Sequence, residues 1–270
     1  MKKIAFFDID GTLIHVPQGL NRPTSATIKT LHDFRKDGNY CIIATARGSV
    51  PEAFNDIEFD GYIYNDGHYI RFQGETLIDD LFYQEELEKL VSVLQKYDGR
   101  YMLSGHEYVW NSYVDDEMII KHRMMFSGTK EISSNTIVQY RLEDVKAIAC
   151  CVLFETDEQL MNAYELLKDD FTMVCYHTGL IRMDIYRKGY TKGTACRYLY
   201  EKLGILYDNT YAFGDGVNDI EMIENVRYGF AMGNGVDMIK EKAYAVIPSV
   251  MEEGISKAFY HFVDKNYGIE

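Results

Sequence analysis

The chain has 270 residues, which suits one large domain or two domains of modest size. Its composition, 47% hydrophobic and 26% charged, is that of a globular protein that buries a core without disulfide bonds. Lys and Arg total 28 against 42 Asp and Glu, and the net charge of −14 disfavours nucleic acid and other polyanions as partners.

The chain begins with Met-Lys-Lys, and only four apolar residues, 4–7, follow before Asp8. This run is too short for the apolar part of a signal peptide, and no run in the chain approaches the length of a membrane span. The five cysteines are odd in number and lack metal-site or redox spacing, so we expect reduced packing residues. A cytoplasmic protein without membrane partners is expected.

In the first third of the chain, apolar runs alternate with helical patterns. Strands are predicted at 4–7, 40–44 and 62–64, with a helix over 24–36 and a short helix near 50–55. Two short runs, 69–72 and 76–78, flank Gln73-Gly74-Glu75 and predict a hairpin. A helix between two strands predicts a parallel sheet.

Residues 82–187 have a different pattern, in which helices alternate with hairpins and predict an α+β domain. Helices are predicted over 84–97, 116–125 and 157–168. Strands are predicted near 101–103, 108–111 and 147–154, with a strand pair, 171–176 and 180–185, around His177-Thr178-Gly179.

After residue 187 strands and helices alternate as before. Strands are predicted at 210–213, 228–232 and 243–247, and helices at 192–203, at 220–225, near 236 and from 252. The predicted fold class is therefore α/β. A parallel-sheet core domain formed by 1–81 and 188–270 is interrupted by an inserted α+β domain, 82–187.

Two carboxylates, Asp8 and Asp10, stand where the first strand breaks into the turn at Gly11. The end of a buried strand delivers its last side chains to the rim of an open α/β sheet, where ligands bind. Residues two apart in an extended segment point to the same side, so two negative charges crowd one volume. A divalent cation or a shared proton would relieve this repulsion, and a solvated acidic loop is the alternative.

A second acidic loop, Gly214-Asp215-Gly216-Val217-Asn218-Asp219, follows directly after the predicted strand 210–213. In a parallel sheet, Asp215 and Asp219 belong to the same rim as Asp8 and Asp10. Mg²⁺ suits such a set, because it prefers oxygen ligands and combines one or two carboxylates with water and substrate phosphate. An Asx turn would explain one such loop, but not two strands that end alike.

Two further positions point to an anionic substrate. Thr45-Ala46-Arg47 ends the strand over 40–44, and its hydroxyl, backbone N–H groups and guanidinium can hold phosphoryl oxygens. A helix N-cap by Thr45 or Ser49 is the alternative. Lys192 opens a predicted helix against the preference of the helix dipole, which indicates an anion nearby, with a solvated surface lysine as the alternative.

Asp-x-Asp-Gly-Thr at 8–12, a strand-end threonine, a helix-opening lysine and Gly-Asp-Gly-x-Asn-Asp at 214–219 occur in this order. The chain thereby resembles the haloacid dehalogenase-like superfamily over nearly its whole length, and within it the Cof-type phosphatases. The resemblance implies a Rossmann-like core with 82–187 as a large cap. It also implies roles for individual residues: Asp8 as nucleophile, Asp10 as general acid/base, Thr45 and Lys192 as phosphate ligands with Ala46, Arg47 and Asn218 beside them, and Asp8, the Asp10 carbonyl, Asp215 and Asp219 at a Mg²⁺ site.

The activity that the resemblance implies is magnesium-dependent hydrolysis of small phosphate monoesters, such as sugar phosphates, through an aspartyl-phosphate. Asp8 would attack phosphorus while Lys192 and Mg²⁺ neutralise the phosphoryl oxygens. Asp10 would protonate the leaving alcohol and then take a proton from water. Phosphoryl transfer to a sugar hydroxyl, as in a phosphomutase, and a non-catalytic sugar-phosphate sensor stay alternatives, and a homo-oligomer stays open.

The chain departs from the family pattern at two positions. Ala46 stands where glycine is usual, which keeps the N–H but restricts the backbone. Asp66 falls where asparagine is usual, and the sequence does not indicate its role. Selectivity is expected to lie in the cap, with Tyr108, Trp110, His122 and Arg123 as candidate contacts, although such residues are more often packing or surface.

Cysteine-phosphatase chemistry is a weaker alternative. Cys41 and Arg47 have the Cys-x5-Arg spacing of that class. The apolar residues between them predict a strand and not a phosphate cradle.

Overall fold

The structure is a computed structural model that describes residues 1–177 and 179–270. The chain divides into two compact units. The core unit consists of Met1–Ile78 and Tyr190–Glu270, and the insert is Asp79–Gly189. No helix among the described residues is long and apolar enough to cross a membrane.

The core unit contains one eight-stranded sheet and helices on both of its faces. Its strands are β1 (Ile4–Phe7), β2 (Tyr40–Ala44), β3 (Gly61–Tyr64), β4 (Tyr69–Phe72), β5 (Glu75–Asp79), β12 (Thr210–Gly214), β13 (Tyr228–Met232) and β14 (Ala245–Ile247). Its helices are α1 (Ser25–Lys36), α5 (Lys192–Lys202), α6 (Ile220–Glu224), α7 (Asp237–Lys242) and α8 (Gly254–Ala258). The strand order is β14-β13-β12-β1-β2-β3-β4-β5.

The six strands from β14 to β3 in that order are parallel, and β4 turns back antiparallel to β3. All four residues of β1 are fully buried, as expected for a central strand covered on both faces. Phe7 packs on one face and stacks on Phe213 of β12 at 5.0 Å between ring centroids. Phe6 packs on the other face, against α5 and α6. Alternate residues of β1 therefore contribute to the cores on opposite faces of the sheet.

The insert contains a six-stranded sheet in the order β10-β11-β9-β6-β7-β8. Its strands are β6 (Arg100–Ser104), β7 (Val109–Asn111), β8 (Thr136–Ile137), β9 (Ala149–Leu153), β10 (Phe171–Tyr176) and β11 (Arg182–Arg187). Its helices are α2 (Gln84–Lys96), α3 (Glu117–Ser127) and α4 (Asp157–Leu167). Helices α2 and α4 pack on one face, and Ile119 of α3 packs beside Met102 and Leu153 in a smaller cluster.

The predicted fold class is confirmed, and most elements lie close to their predicted bounds. The helix predicted near 50–55 is only a 3₁₀ turn, Glu52–Phe54, which begins after Pro51. The polar stretch 127–135 is followed by the two-residue strand β8, which is too short to leave a periodic pattern. The turn predicted at His177-Thr178-Gly179 includes Thr178, which lies outside the described residues.

Candidate active site

The carboxyl ends of three neighbouring strands, β12, β1 and β2, bring the predicted acidic loops and Thr45 of the core unit to one rim. Asp8 follows β1, and its backbone N–H donates to the Phe213 carbonyl on β12 at 3.0 Å. Thr45 follows β2, and Asp215 follows β12. Parallel strands place their ends at one edge of the sheet, so loops far apart in sequence become neighbours here.

Lys192 lies at the centre of the candidate site and is 0% exposed. Its Nζ donates to Asp8 Oδ1 and to Asp219 Oδ1, both at 2.6 Å. Thr191 caps the first turn of α5 by accepting from the Thr194 N–H, so the helix starts at the lysine and directs it inward. Burial alone would lower the pKa of Lys192, but Asp219 and Asp8 more than offset this and raise it well above its usual value.

Asp8, Asp215 and Asp219 form a group of three carboxylates that each offer one oxygen within 4.8 Å of the others. Burial, then repulsion from Asp219, raises the pKa of Asp8 well above its usual value, although Lys192 opposes the shift. Burial, and then repulsion from Asp219, also raises the pKa of Asp215 to about 7. Crowded carboxylates of this kind form a hard oxygen donor set, which fits a divalent cation such as Mg²⁺.

Gly11 leaves the space that the Asp215 carboxylate fills. Its φ is +85°, in the left-handed region that favours glycine, and a Cβ built there would lie 2.0 Å from Asp215 Oδ2. Thr12 then donates its hydroxyl to Asp215 Oδ1 at 3.3 Å. Gly11 therefore leaves room for the Asp215 carboxylate, and Thr12 orients it.

Asp219 accepts hydrogen bonds from the backbone of its own loop and from Lys192. Its Oδ2 accepts from the backbone N–H groups of Asp215 and Gly216, each at 3.0 Å, while Oδ1 accepts from Lys192. These bonds explain why an acid four residues after Asp215 is buried: it closes the turn that presents Asp215.

The Asp10 side chain differs from the sequence-based expectation, which placed it in one crowded volume with Asp8. Its carboxylate is 52% exposed and forms a bidentate pair with Arg47, at 2.6 Å to Nε and 2.7 Å to Nη2. It is not among the three carboxylates that could share a metal ion. The guanidinium, 37 residues later in the chain, relieves its charge instead.

The loop after β2 is organised by its own hydrogen bonds. Thr45 is buried, and its hydroxyl accepts from the backbone N–H of Arg47 at 3.1 Å, while Ala46 is exposed. No helix is capped by Thr45 or Ser49, because the next helical turn begins after Pro51. The loop is therefore a turn at the sheet rim, as an anion-binding segment requires.

Sequence reasoning left the role of Asp66 open, and the structure places it inside the site. Its Oδ1 accepts from Asn218 Nδ2 at 3.1 Å and lies 3.9 Å from Lys192 Nζ. Burial raises the pKa of this carboxyl, and Lys192 opposes the shift. The only sequence signal was an acid at a position where the family pattern has asparagine.

The insert residues considered for selectivity have different environments. Trp110 is 5% exposed and packs in the insert core, whereas Tyr108 is exposed. His122 lies 3.7 Å from Cys151 Sγ, and burial, with a smaller contribution from Arg182, lowers its pKa to about 4. Arg123 donates from Nη2 to the Val114 carbonyl at 3.2 Å.

Comparison with known proteins gives a consistent assignment. The family model of haloacid dehalogenase-like hydrolases matches residues 5–259. The chain is 29% identical over 262 residues, 95% of this chain and 96% of the relative, to the Bacillus subtilis (strain 168) protein named "Putative phosphatase YkrA". It is 25% identical to pyridoxal phosphate phosphatase YbhA of Escherichia coli (strain K12), over 96% of this chain and 97% of the relative.

A solved structure agrees with this assignment. The haloacid dehalogenase subclass IIB sugar phosphatase BT4131 superposes with a TM-score of 0.81 at 26% identity, over 97% of this chain and 99% of that chain. The chain therefore belongs to the haloacid dehalogenase-like hydrolase family, among its Cof-type phosphatases, and is a phosphoric monoester hydrolase.

Proposed function

We propose that the enzyme hydrolyses small phosphorylated metabolites, of the class of sugar phosphates, in a Mg²⁺-dependent reaction through an aspartyl-phosphate on Asp8. The observation that carries the proposal is the buried contact of Lys192 with Asp8 and Asp219, beside the Asp215 carboxylate. It combines a fixed carboxylate, a cation for phosphoryl oxygens and an oxygen donor set for a metal. The match to a sugar phosphatase over nearly the whole chain supports the substrate class.

In the proposed first step an oxygen of Asp8 attacks phosphorus in line, and the bond from phosphorus to the leaving alcohol oxygen breaks. Lys192 neutralises charge on the phosphoryl oxygens, and Thr45 with its neighbouring N–H groups holds them. Asp10 gives its proton to the leaving alcohol. In the second step Asp10 takes a proton from water, which attacks the phosphorus of the aspartyl-phosphate and releases phosphate and free Asp8.

Mg²⁺ held by Asp8, Asp215 and the Asp10 carbonyl, with Asp219 in support, would supply further neutralisation of phosphoryl charge. In the structure Arg47 forms a bidentate pair with Asp10, the group that gives a proton to the leaving alcohol in the first step. We propose that Arg47 turns to the anionic substrate on binding, which leaves Asp10 free to carry a proton. Residues 82–187 act in this proposal as the cap that selects the leaving group, and the protein acts in the cytoplasm.

The direct test is phosphate release from a panel of metabolite monoesters with Mg²⁺ present and absent. Release that requires Mg²⁺ and favours sugar phosphates is expected. Transfer of the phosphoryl group to a second hydroxyl of a hexose phosphate, without release, would replace hydrolysis by mutase chemistry. Tight binding of monoesters without turnover would instead support a sensor.

The stabilisation of the protein by Mg²⁺ should depend on pH, because Asp215 of the proposed metal site changes its protonation state near neutral pH. Because its pKa in the folded protein is raised to about 7, its contribution to stability is present below about pH 4 and is lost as the pH rises to about 7. A cation between the carboxylates removes that cost. Mg²⁺ should therefore raise the melting temperature more at about pH 8 than at about pH 5, as measured by calorimetry.

Asp215→Asn should remove most of this Mg²⁺-dependent increase. Asp237→Asn is the matched control, since Asp237 is 97% exposed on α7 of the same unit. Equal Mg²⁺ effects at both pH values, or an unchanged response in Asp215→Asn, would contradict a metal site at this carboxylate.

A second prediction concerns Asp10 as the proton donor. Asp10→Asn should lower kcat for alkyl phosphates by about 10²- to 10⁴-fold, the usual contribution of a general acid/base. Nitrophenolate needs no proton to leave, so nitrophenyl phosphate should still give a burst of nitrophenolate in stopped-flow absorbance before slow turnover. Absence of the burst, or alkyl-phosphate turnover at the wild-type rate, would show that Asp10 is not the acid.

A further inference from the structure

The loop after β3, Asn65-Asp66-Gly67, contacts two segments that the proposed function assigns to phosphate binding, the loop after β2 and the start of α5. The backbone N–H of Asp66 donates to the Thr45 carbonyl, and that of Asn65 donates to the Arg47 carbonyl, both at 3.1 Å. Gly67 packs against the residue before Lys192: a Cβ built on it would lie 2.5 Å from the Thr191 carbonyl oxygen. The loop is therefore fixed on two sides by backbone contacts.

Within this loop, Asp66 has the left-handed backbone φ 50° and ψ 33°, which turns its side chain into the site. The side chain is only 15% exposed. Its Oδ1 accepts from Asn218 Nδ2 at 3.1 Å and lies 3.9 Å from Lys192 Nζ. The carboxylate oxygen nearest Lys192 therefore already accepts a hydrogen bond from the Asn218 amide.

We propose that Asp66 is a positioning residue that fixes the Asn218 side-chain amide, beside Lys192, at the phosphate-binding edge of the site. This inference rests on the proposed phosphatase function for its consequence, but the contact itself can be tested without turnover. The acceptor oxygen is what matters in this arrangement. An asparagine at 66 keeps an acceptor oxygen, whereas a glycine removes it and tolerates the left-handed backbone.

The kinetic experiment compares Asp66→Gly, Asp66→Asn, Asn218→Ala and the double variant Asp66→Gly/Asn218→Ala. Asp66→Gly should raise KM and the inhibition constant of inorganic phosphate by about tenfold, as expected for one lost hydrogen bond to a charged group, with kcat little changed. Asp66→Asn should recover most of the loss. The double variant should be no worse than Asn218→Ala, because Asp66 acts through Asn218.

Asp98→Gly is the matched control, because Asp98 is an exposed acid at φ 53° in the insert. It should leave KM and the phosphate inhibition constant unchanged. Additive losses in the double variant would overturn the proposal. So would an Asp66→Asn enzyme as impaired as Asp66→Gly, since the charge and not the acceptor would then be responsible.

A measurement that does not depend on activity is hydrogen exchange of the Asn218 side-chain amide, followed by NMR and assigned through Asn218→Ala. The amide should exchange slowly in the wild type and in Asp66→Asn, and fast in Asp66→Gly. Equal exchange in all three would overturn the proposal even in an active enzyme. Slow exchange in a wild-type protein without phosphatase activity would instead support the contact and refute the proposed function.

Discussion

Asp8→Asn is expected to abolish turnover while leaving the protein at least as stable as the wild type. Asparagine cannot form the acyl phosphate, and loss of a catalytic nucleophile lowers kcat by about 10⁴-fold or more. Stability should not fall, because burial and Asp219 raise the pKa of Asp8, and ionising it in the folded protein at neutral pH costs folding free energy. Lys192 keeps Asp219 as a partner at 2.6 Å.

This prediction is checked by phosphate release and by the melting temperature of the same preparation, purified free of host phosphatase. Asp56→Asn is a control, since Asp56 is a largely exposed acid paired with Arg22 on the surface. Retention of substantial activity by Asp8→Asn would refute Asp8 as the nucleophile. Loss of activity together with loss of the folded state would show that Asp8 has a structural role instead.

Lys192→Met should also abolish activity, but unlike Asp8→Asn it should greatly reduce the stability of the protein. The lysine is fully buried, and its removal leaves Asp8 and Asp219 without their cation. Removing one member of a buried ion pair costs about 3–5 kcal/mol of unfolding free energy. The loss should be smaller at low pH, where the carboxyls take up protons, and Mg²⁺ should restore part of it.

Urea unfolding at low and high pH, with and without Mg²⁺, measures these effects. The control is Lys240→Met, since Lys240 is 4.0 Å from the highly exposed Asp237 and such surface pairs contribute little. A Lys192→Met protein as stable as this control at every pH would contradict the central place of Lys192 in the carboxylate cluster.

The convergence of Asp8 and Asp215 on one rim was predictable because it follows from strand ends. Both acids directly follow mostly apolar strands, and parallel strands must end at the same edge. The order of the elements also indicated an interrupted parallel sheet, because the βα pattern stops and then resumes. These inferences need only the periodicity of side chains and the topology of parallel sheets, which local sequence expresses well.

Other features depend on contacts that local sequence does not express. The side chain of Asp10 pairs with Arg47. The two residues are distant in sequence and meet only after the sheet forms, so the local sequence does not indicate the pair. Asp66 enters the site through a left-handed backbone that non-glycine residues adopt uncommonly and that the sequence pattern does not predict. Trp110 is buried in the insert, which agrees with the expectation that such aromatic residues more often pack than contact a ligand.

The most direct test of the account is chemical trapping of the phosphoryl enzyme. After rapid mixing with a turned-over sugar phosphate and Mg²⁺, acid quench and borohydride reduction, a phosphorylated Asp8 is converted to homoserine, which peptide mass spectrometry detects. We predict homoserine at position 8 in the wild type and none in a sample without substrate. Phosphate release in the same mixture with no modification at Asp8, or with trapping at another carboxylate, would contradict the account.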